Sequence, residues 1–187
     1  MKVYVIRHGL TELNKKKVVN GQIDEPLAPE GIEQAKVASQ LIPETIKVIY
    51  TSPLLRARQT AEIINSKLKR PIYPQQELTE IHMGSLAGKA WTEMALGLEL
   101  KKKHRTAKFD YRPEGGESAI EVKKRILSFL GKINNKYANY EVLIMTHGGI
   151  FRFLYLLENK KYLLDEVVEQ ASPKIFDLDK ILNNLNR

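Results

Sequence analysis

The sequence contains no cysteine. Disulfide bonds, thiolate nucleophiles and cysteine-ligated zinc or iron–sulfur sites are therefore excluded. No apolar run reaches the roughly 18 residues that a membrane-spanning helix needs, so we expect no membrane partner. Internal repeats and low-complexity tracts are also missing. Because 187 residues lie close to the ~150 of a typical domain, the sequence predicts a single domain over residues 1–187.

The charge is strongly positive, with 30 Lys and Arg against 22 Asp and Glu and a net charge of +8. Such an excess favours an anionic partner, either nucleic acid or a phosphorylated metabolite. The basic residues are scattered along the chain and few aromatic residues stand among them, so we expect no nucleic-acid partner. No secretory signal precedes the first predicted strand, which predicts a cytoplasmic protein.

Strands and helices are predicted to alternate along the chain. Short apolar, β-branched runs predict strands at residues 2–6, 48–50 and 141–145, and helical periodicity separates them. This alternation predicts an α/β protein with three α/β/α layers and a mostly parallel central sheet. In the helix that follows the first strand, Ile32 is expected on the core face. Residues 80–117 show no clear pattern and are predicted to form a lid or insertion.

Two predicted strands end in similar peptides, Arg7-His8-Gly9 and Thr146-His147-Gly148-Gly149. Parallel strands bring their carboxyl ends to one edge of a sheet, so both histidines are expected in one pocket, with Arg56 just past the second strand. A neutral histidine can attack phosphorus, and arginines suit phosphate. The four histidines of the chain lack metal-ligand spacing, so we expect neither a metal site nor a cofactor.

A series of motifs occurs in one order. They are Arg7-His8-Gly9-Leu10-Thr11-Glu12-Leu13-Asn14, Asp24-Glu25-Pro26-Leu27, Ser52-Pro53-Leu54-Leu55-Arg56-Ala57-Arg58-Gln59-Thr60-Ala61 and Thr146-His147-Gly148-Gly149. From residue 2 to about 155 the chain resembles the histidine phosphatase superfamily in its phosphoglycerate-mutase-like branch. The resemblance implies a phosphoglycerate-mutase-like fold and catalysis through phosphohistidine.

The resemblance also implies roles for individual residues. His8 is the expected nucleophile, and Glu80 the expected general acid, which then acts as the base that activates water. Around the phosphoryl oxygens the resemblance places Arg7, Arg56, His147 and Asn14. Further substrate contacts are expected from Gly21, Gln22 and Gly148. Thr11 has two possible roles, a contact with the phosphate or a cap for the turn after the first strand, and His104 is expected to be exposed.

The sequence favours a phosphatase over a mutase. Mutases of the family carry Glu-Arg-His-Tyr-Gly and a later arginine pair, whereas this chain reads Glu80-Ile81-His82-Met83-Gly84 and has no such pair. We therefore expect a metal-independent phosphomonoesterase that acts on a small phosphate ester. Phosphoglycerate mutase remains the alternative, because the basic residues 101–105 could bind a carboxylate or a second phosphate. A non-enzymatic phosphate- or nucleic-acid-binding module is a weaker alternative. The oligomeric state, including a homodimer, is left open.

Overall fold

The computed structural model describes residues 1–95, 97–163 and 168–184. Its centre is a five-stranded sheet in the order β3-β2-β4-β1-β5. The strands are β1 (Lys2–Arg7), β2 (Ile46–Thr51), β3 (Ile72–Pro74), β4 (Glu141–Thr146) and β5 (Pro173–Asp177). Strands β1 to β4 pair in parallel, and β5 runs antiparallel to β1 at one edge. The predicted, mostly parallel sheet is therefore confirmed.

Helices cover both faces of this sheet. They are α1 (Glu12–Lys15), α2 (Pro29–Leu41), α3 (Leu55–Leu68), α4 (Gly97–Arg105), α5 (Ala119–Tyr137), α6 (Gly148–Asn159) and α7 (Leu178–Asn183). Side-chain caps begin three of them: Thr11 caps α1, Ser118 caps α5 and Asp177 caps α7. Of the two roles considered for Thr11, the structure shows the capping one. Within the described ranges, no helix is long and apolar enough to cross a membrane.

The strands bury alternate side chains in two separate cores. On one face Val142 and Ile144 pack in the cluster that includes residues of α5 and α6. On the other face Leu143 and Met145 pack with residues of α2 and α3. Since both faces are buried, the sheet lies between two helical layers, which is the predicted three-layer architecture.

The core face of α2 differs from the predicted one. Ile32 is 36% exposed, whereas Gly31, Ala35 and Ala38 are buried. The helix packs very closely there, because a Cβ added to Gly31 would lie 2.1 Å from the carbonyl oxygen of Leu10. Small residues therefore form the contact face, and the prediction that Ile32 faces the core was wrong.

The segment 80–117 is described except for residue 96 and packs against the body of the protein. The backbone of Val19 bonds to Lys89 and Gly88, and Phe109 and Tyr111 are buried in the core. His104 of α4 was expected to be exposed, and this expectation was wrong. Its ring centroid lies 5.6 Å from those of Trp91 and Phe109, and its Nδ1 atom lies 3.0 Å from the Tyr111 hydroxyl.

Candidate active site

His8 and His147 lie side by side at the carboxyl edge of the sheet. Strands β1 and β4 are neighbours in register, and the backbone N–H of His8 donates to the carbonyl of Thr146 at 2.9 Å. The two imidazole centroids are 5.1 Å apart, and the side chains are almost completely buried. The structure thus brings together the two histidines singled out in the sequence.

His8 is held in one tautomer. Its Nδ1 atom lies 2.7 Å from the carbonyl oxygen of Gly9, which can only accept, so Nδ1 carries the proton. The Nε2 atom then has a free lone pair, towards which Arg56 directs its Nε–H at 3.2 Å. Burial, reinforced by the charges of Arg56 and Arg7, holds the pKa of His8 well below its usual range. The ring is therefore neutral near pH 7, as a nucleophile requires.

Two backbone carbonyls hold the Arg56 side chain beside His8. It stands in the first turn of α3, is fully buried, and donates to the carbonyls of Ile23 at 2.6 Å and Gly21 at 2.9 Å. Burial lowers the pKa of Arg56, and the negative charges of Glu80 and Glu25 oppose this effect. The guanidinium keeps its charge and cannot turn away from the histidine without losing both carbonyl partners.

Arg7 supplies a second positive charge. One of its nitrogens donates to the carbonyl of Val168 at 2.6 Å, while its buried Nε atom has no partner among the described residues. Burial lowers the pKa of Arg7 to about 10, and Glu80 partly compensates. Arg7 is therefore still protonated at neutral pH. A Cβ added to Gly148 would lie 3.4 Å from Arg7 Nε, so the glycine leaves that atom accessible.

His147 is oriented by Ser52, a residue whose role the sequence did not indicate. The Nε2 atom of His147 lies 2.7 Å from the Ser52 hydroxyl, at the end of β2. Its Nδ1 atom is buried without a partner in the described part of the chain. Burial and the charge of Arg56 hold the pKa of His147 well below its usual range. This ring is also neutral and keeps one nitrogen for a further contact.

Glu80 lines the same cavity as His8. Its Oε1 atom accepts from the backbone N–H of Ile81 at 2.9 Å, and its Oε2 atom accepts from that of Gly149 at 3.1 Å. A Cβ added to Gly149 would lie 2.5 Å from Oε1, so a side chain there would displace the carboxyl group. Glycine at position 149 therefore allows Glu80 to rest against the start of α6.

The loop that carries Glu80 is clamped by Arg125 of α5, which the sequence did not single out. Arg125 Nη1 donates to the carbonyls of Glu77 at 2.5 Å and Thr79 at 2.9 Å. The guanidinium also makes two bonds to Glu117, at 2.6 and 3.0 Å. Glu117 in turn accepts from the backbone N–H of His82 at 2.9 Å. Both ends of the loop are thus tied to one ion pair.

Of the further residues expected to contact substrate, three line the cavity beside His8 and one supports the loop that carries Glu80. Asn14, Gly21 and Gly148 line the cavity beside His8. Asn14 is held there by its bond to Asn20 Oδ1 at 2.9 Å. Gln22 instead donates a side-chain N–H to the carbonyl of Glu80 at 2.9 Å, and so supports the loop that carries Glu80.

The cavity has a volume of about 290 Å³ and a strongly cationic wall. Besides Arg7, the positive residues that line it are Lys101, Arg105 and Arg152. Within the described residues, Glu80 is the one acidic side chain in the lining. No group of three or more His, Cys, Asp or Glu side chains that could hold a metal ion occurs in the described ranges. The cavity fits a small anionic molecule.

Comparison with known proteins places these features in a family. The sequence profile of the histidine phosphatase superfamily (branch 1) matches residues 3–164. Phosphoglycerate mutase-like protein 4 of Arabidopsis thaliana is 32% identical over 186 residues, 97% of this chain and 75% of that protein. The metal-independent phosphoserine phosphatase of the same plant is 34% identical over 162 residues, 82% of this chain and 67% of its own length.

Solved structures show the same fold. A phosphoglycerate mutase from Thermus thermophilus superimposes with a TM-score of 0.77 at 30% identity and covers 95% of this chain and 93% of its own. Bacillus stearothermophilus YhfR gives a TM-score of 0.80 at 28% identity over 94% and 90% of the two chains. The chain belongs to branch 1 of the histidine phosphatase superfamily and has its phosphoglycerate-mutase-like fold.

Proposed function

We propose that the protein is a metal-independent phosphomonoesterase that transfers the phosphoryl group of a small metabolite to His8 and then to water. The observation that carries this proposal is the protonation state of His8 and the hydrogen bonds that its ring makes. Its ring is neutral, Nδ1 is committed to the Gly9 carbonyl, and Nε2 faces Arg56 beside a cavity that also contains Glu80. This is the arrangement of a nucleophile ready to attack phosphorus.

In the first step, the lone pair of His8 Nε2 attacks the phosphorus atom, and the ester P–O bond breaks. The departing oxygen takes the proton of the Glu80 carboxyl group, and the product leaves as the alcohol. The positive charge that develops on the imidazole is stabilised by the Nδ1–H bond to Gly9. Arg7, Arg56 and the Nδ1–H of His147, whose Nε2 then accepts from the Ser52 hydroxyl, stabilise the equatorial phosphoryl oxygens.

In the second step, the Glu80 carboxylate removes a proton from water, and the resulting hydroxide attacks the phosphohistidine. The N–P bond breaks, inorganic phosphate leaves, and Nε2 regains its lone pair. Glu80 is then protonated for the next cycle. The same carboxyl group thus serves as acid and base, which is possible because leaving group and water occupy the same side of the phosphorus in turn.

The positive charge for this reaction comes from the protein. Arg7 and Arg56 provide the two fixed charges that a bound cation supplies in other phosphatases. To test this, purified protein is assayed with a panel of phosphomonoesters in the presence and absence of a chelator. Equal phosphate release in both conditions supports the proposal. Loss of activity with the chelator would overturn the metal-independent mechanism.

A phosphoglycerate mutase is the second candidate function, favoured by the additional cations in the cavity wall. It would return the phosphoryl group to another hydroxyl of the same substrate. The assay uses 3-phosphoglycerate with and without 2,3-bisphosphoglycerate and measures phosphate and 2-phosphoglycerate together. Faster phosphate release supports the phosphatase, and faster formation of 2-phosphoglycerate supports the mutase.

We also propose that the partner is a small molecule and not nucleic acid, and that the protein acts in the cytoplasm. The cations named above converge on one small cavity, whereas a nucleic acid needs an extended basic surface. A salt-sensitive gel shift with DNA or RNA would contradict this part of the proposal.

A further inference from the structure

We infer that Gln34 of α2 and Thr60 of α3 are positioning residues for the reaction, because together they fix the peptide groups on both sides of Gly9. The carbonyl of Gly9 is the group that accepts from Nδ1 of His8. The two residues therefore determine how firmly that nitrogen is held while His8 gains and loses the phosphoryl group. The inference rests on the proposed function, which gives His8 the role of nucleophile.

Gln34 controls the peptide group that contains the Gly9 carbonyl. Its Oε1 atom accepts from the backbone N–H of Leu10 at 2.9 Å. In a planar trans peptide the C=O and the N–H point in opposite directions, so an acceptor for this N–H directs the Gly9 carbonyl towards His8. Gln34, one peptide group and the imidazole thus form a single series of hydrogen bonds. Each bond in such a series polarises the next, which makes the Gly9 carbonyl a stronger acceptor.

The Gly9 carbonyl is needed most while the phosphoryl group is transferred. When Nε2 of His8 bonds to phosphorus, the imidazole gains positive charge, and its remaining N–H becomes a stronger donor. The proton stays on Nδ1 throughout, so only the strength of its bond to the carbonyl changes. A polarised and fixed acceptor stabilises the charged ring more than the neutral one. Gln34 therefore acts on the rate at which His8 is phosphorylated and not on substrate binding.

Thr60 fixes the peptide group on the other side of Gly9. Its hydroxyl accepts from the backbone N–H of Gly9 at 3.1 Å and donates to the carbonyl of Arg56 at 2.7 Å. The Thr60 side chain is fully buried, so this N–H has no water as a substitute acceptor. Arg56 stands one turn earlier on α3 and contacts Nε2 of His8. One helix therefore acts on both nitrogens of the imidazole, directly on Nε2 and through Gly9 on Nδ1.

Close packing of α2 against the chain after β1 brings Gln34 to its partner. A Cβ added to Gly9 would lie 2.4 Å from the carbonyl oxygen of Gly31, so the two segments meet at backbone atoms. Gly31 is one turn before Gln34 and lies on the same side of the helix. The carbonyl of Leu10 also accepts from the backbone N–H of Ala28 at 2.9 Å. Gly9 and Leu10 are thereby held on the start of α2.

Single-turnover kinetics test the effect on the reaction. In Gln34→Leu and Thr60→Val, the rate of His8 phosphorylation by p-nitrophenyl phosphate should fall by roughly three- to tenfold, the effect of one lost hydrogen bond. The substrate concentration that gives half the maximal rate should not change. Gln34→Glu and Thr60→Ser keep the acceptor oxygen and should retain the wild-type rate. Gln40→Leu, the same substitution at an exposed position of α2, is the matched control.

NMR of the resting protein measures the hydrogen bond itself and needs no turnover. In the wild type, the proton on Nδ1 of His8 should give a downfield signal that exchanges slowly with water, because the Gly9 carbonyl holds it. The signal is assigned by its loss in His8→Ala. In Gln34→Leu and Thr60→Val it should move upfield or exchange faster, and in Gln40→Leu it should not.

Several results would overturn the inference. They are a wild-type rate in folded Gln34→Leu and Thr60→Val, a slower rate with an unchanged Nδ1 proton signal, and a Gln34→Glu variant as slow as Gln34→Leu. Gln34 is partly exposed, so Gln34→Leu should fold and decides the question even if Thr60→Val does not fold. If no ester phosphorylates His8, the proposed function fails by itself. The spectra then still show whether Gln34 and Thr60 hold the Gly9 carbonyl against His8.

Discussion

Arg56 Nε lies 3.2 Å from His8 Nε2, and both side chains are almost completely buried. This contact has two effects. The guanidinium charge disfavours protonation of the imidazole, so the nucleophile stays neutral. The same N–H group is also placed next to the atom that bonds to phosphorus, so a phosphoryl oxygen bound there lies within its reach. A single arginine thus protects the nucleophile at rest and stabilises the transferred group.

The geometry of Arg56, and not only its charge, should matter. Arg56→Lys keeps a positive charge but cannot contact His8 Nε2 and the carbonyls of Gly21 and Ile23 together. We expect kcat to fall by roughly 10²- to 10³-fold and the free energy of unfolding to fall by about 1–3 kcal/mol, the cost of an unpaired buried carbonyl. Steady-state kinetics and urea unfolding measure the two effects.

Arg58→Lys is the control for that substitution, because Arg58 stands on the same helix with an exposed side chain. Its kinetics and stability should match those of the wild type. Equal activity of Arg56→Lys and Arg58→Lys would show that the guanidinium is not needed.

Glu80 should matter most when the leaving group needs a proton. p-Nitrophenolate leaves without protonation, whereas an alkoxide does not. In Glu80→Gln, phosphorylation of His8 by an alkyl phosphate should slow by roughly 10²- to 10⁴-fold, and phosphorylation by p-nitrophenyl phosphate far less. Rapid-quench measurement of the first turnover resolves this step. Glu114→Gln, an exposed change in the same segment, should affect neither substrate. Equal losses for both esters would exclude Glu80 as the acid.

Arg125 should act through the position of Glu80. It touches the loop backbone and Glu117 but does not line the cavity. Arg125→Leu should therefore lower kcat for alkyl phosphates more than for p-nitrophenyl phosphate, with a smaller change in KM. The neighbouring exposed change Lys124→Leu should do neither.

A double-mutant cycle of Arg125→Leu with Glu117→Gln should give a coupling free energy of about 0.5–3 kcal/mol in alkyl-ester turnover, because the two side chains form one clamp. Additive effects, or equal losses for both classes of ester, would show that Arg125 has only a structural role and does not position Glu80.

Stability should decrease when the pH falls below about 6.5. Burial, assisted by Arg152 and Arg105, lowers the pKa of His104 from 6.5 to about 4. The unfolded chain takes up this proton near pH 6.5 while the folded protein does not, so stability is full above that pH and is lost below it. Between pH 7.5 and 5 this histidine alone accounts for about 2 kcal/mol. His8 and His147 act in the same direction.

Urea unfolding at pH 7.5 and 5.0 measures this loss. His104→Gln removes the titrating ring and should show a loss about 2 kcal/mol smaller than the wild type. The same pH dependence in both proteins would mean that His104 is not held neutral.

The sequence predicted the parts of the fold and site that follow from local pattern. Parallel strands with histidines at their carboxyl ends place His8 and His147 at one edge, because strand direction determines where side chains gather. Arg56 follows from the strand-to-helix turn that carries it. In each case a short stretch of chain contains the relevant information.

Other features depend on contacts between distant segments and could not be read from local pattern. Ile32 is exposed because Gly31 packs against Leu10, and His104 is only partly exposed because its ring packs against Trp91 and Phe109. Neither neighbour follows from helical periodicity.

The residues that hold the catalytic groups in place also depend on contacts between distant segments. Ser52 orients His147, and Arg125 clamps the glutamate loop, each through side chains that are tens of residues away in the sequence. Such pairings arise only when the fold is complete.

The proposed mechanism requires a phosphoryl group bonded to His8 during turnover. The most direct measurement reacts the protein with p-nitrophenyl phosphate in the presence of a chelator, quenches within milliseconds at alkaline pH, and locates phosphate by peptide mass spectrometry. We expect acid-labile phosphate on His8 that appears before the steady state and disappears as substrate is consumed, and none in a folded His8→Ala variant. Turnover without phosphate on His8, or undiminished turnover by His8→Ala, would contradict the phosphohistidine mechanism.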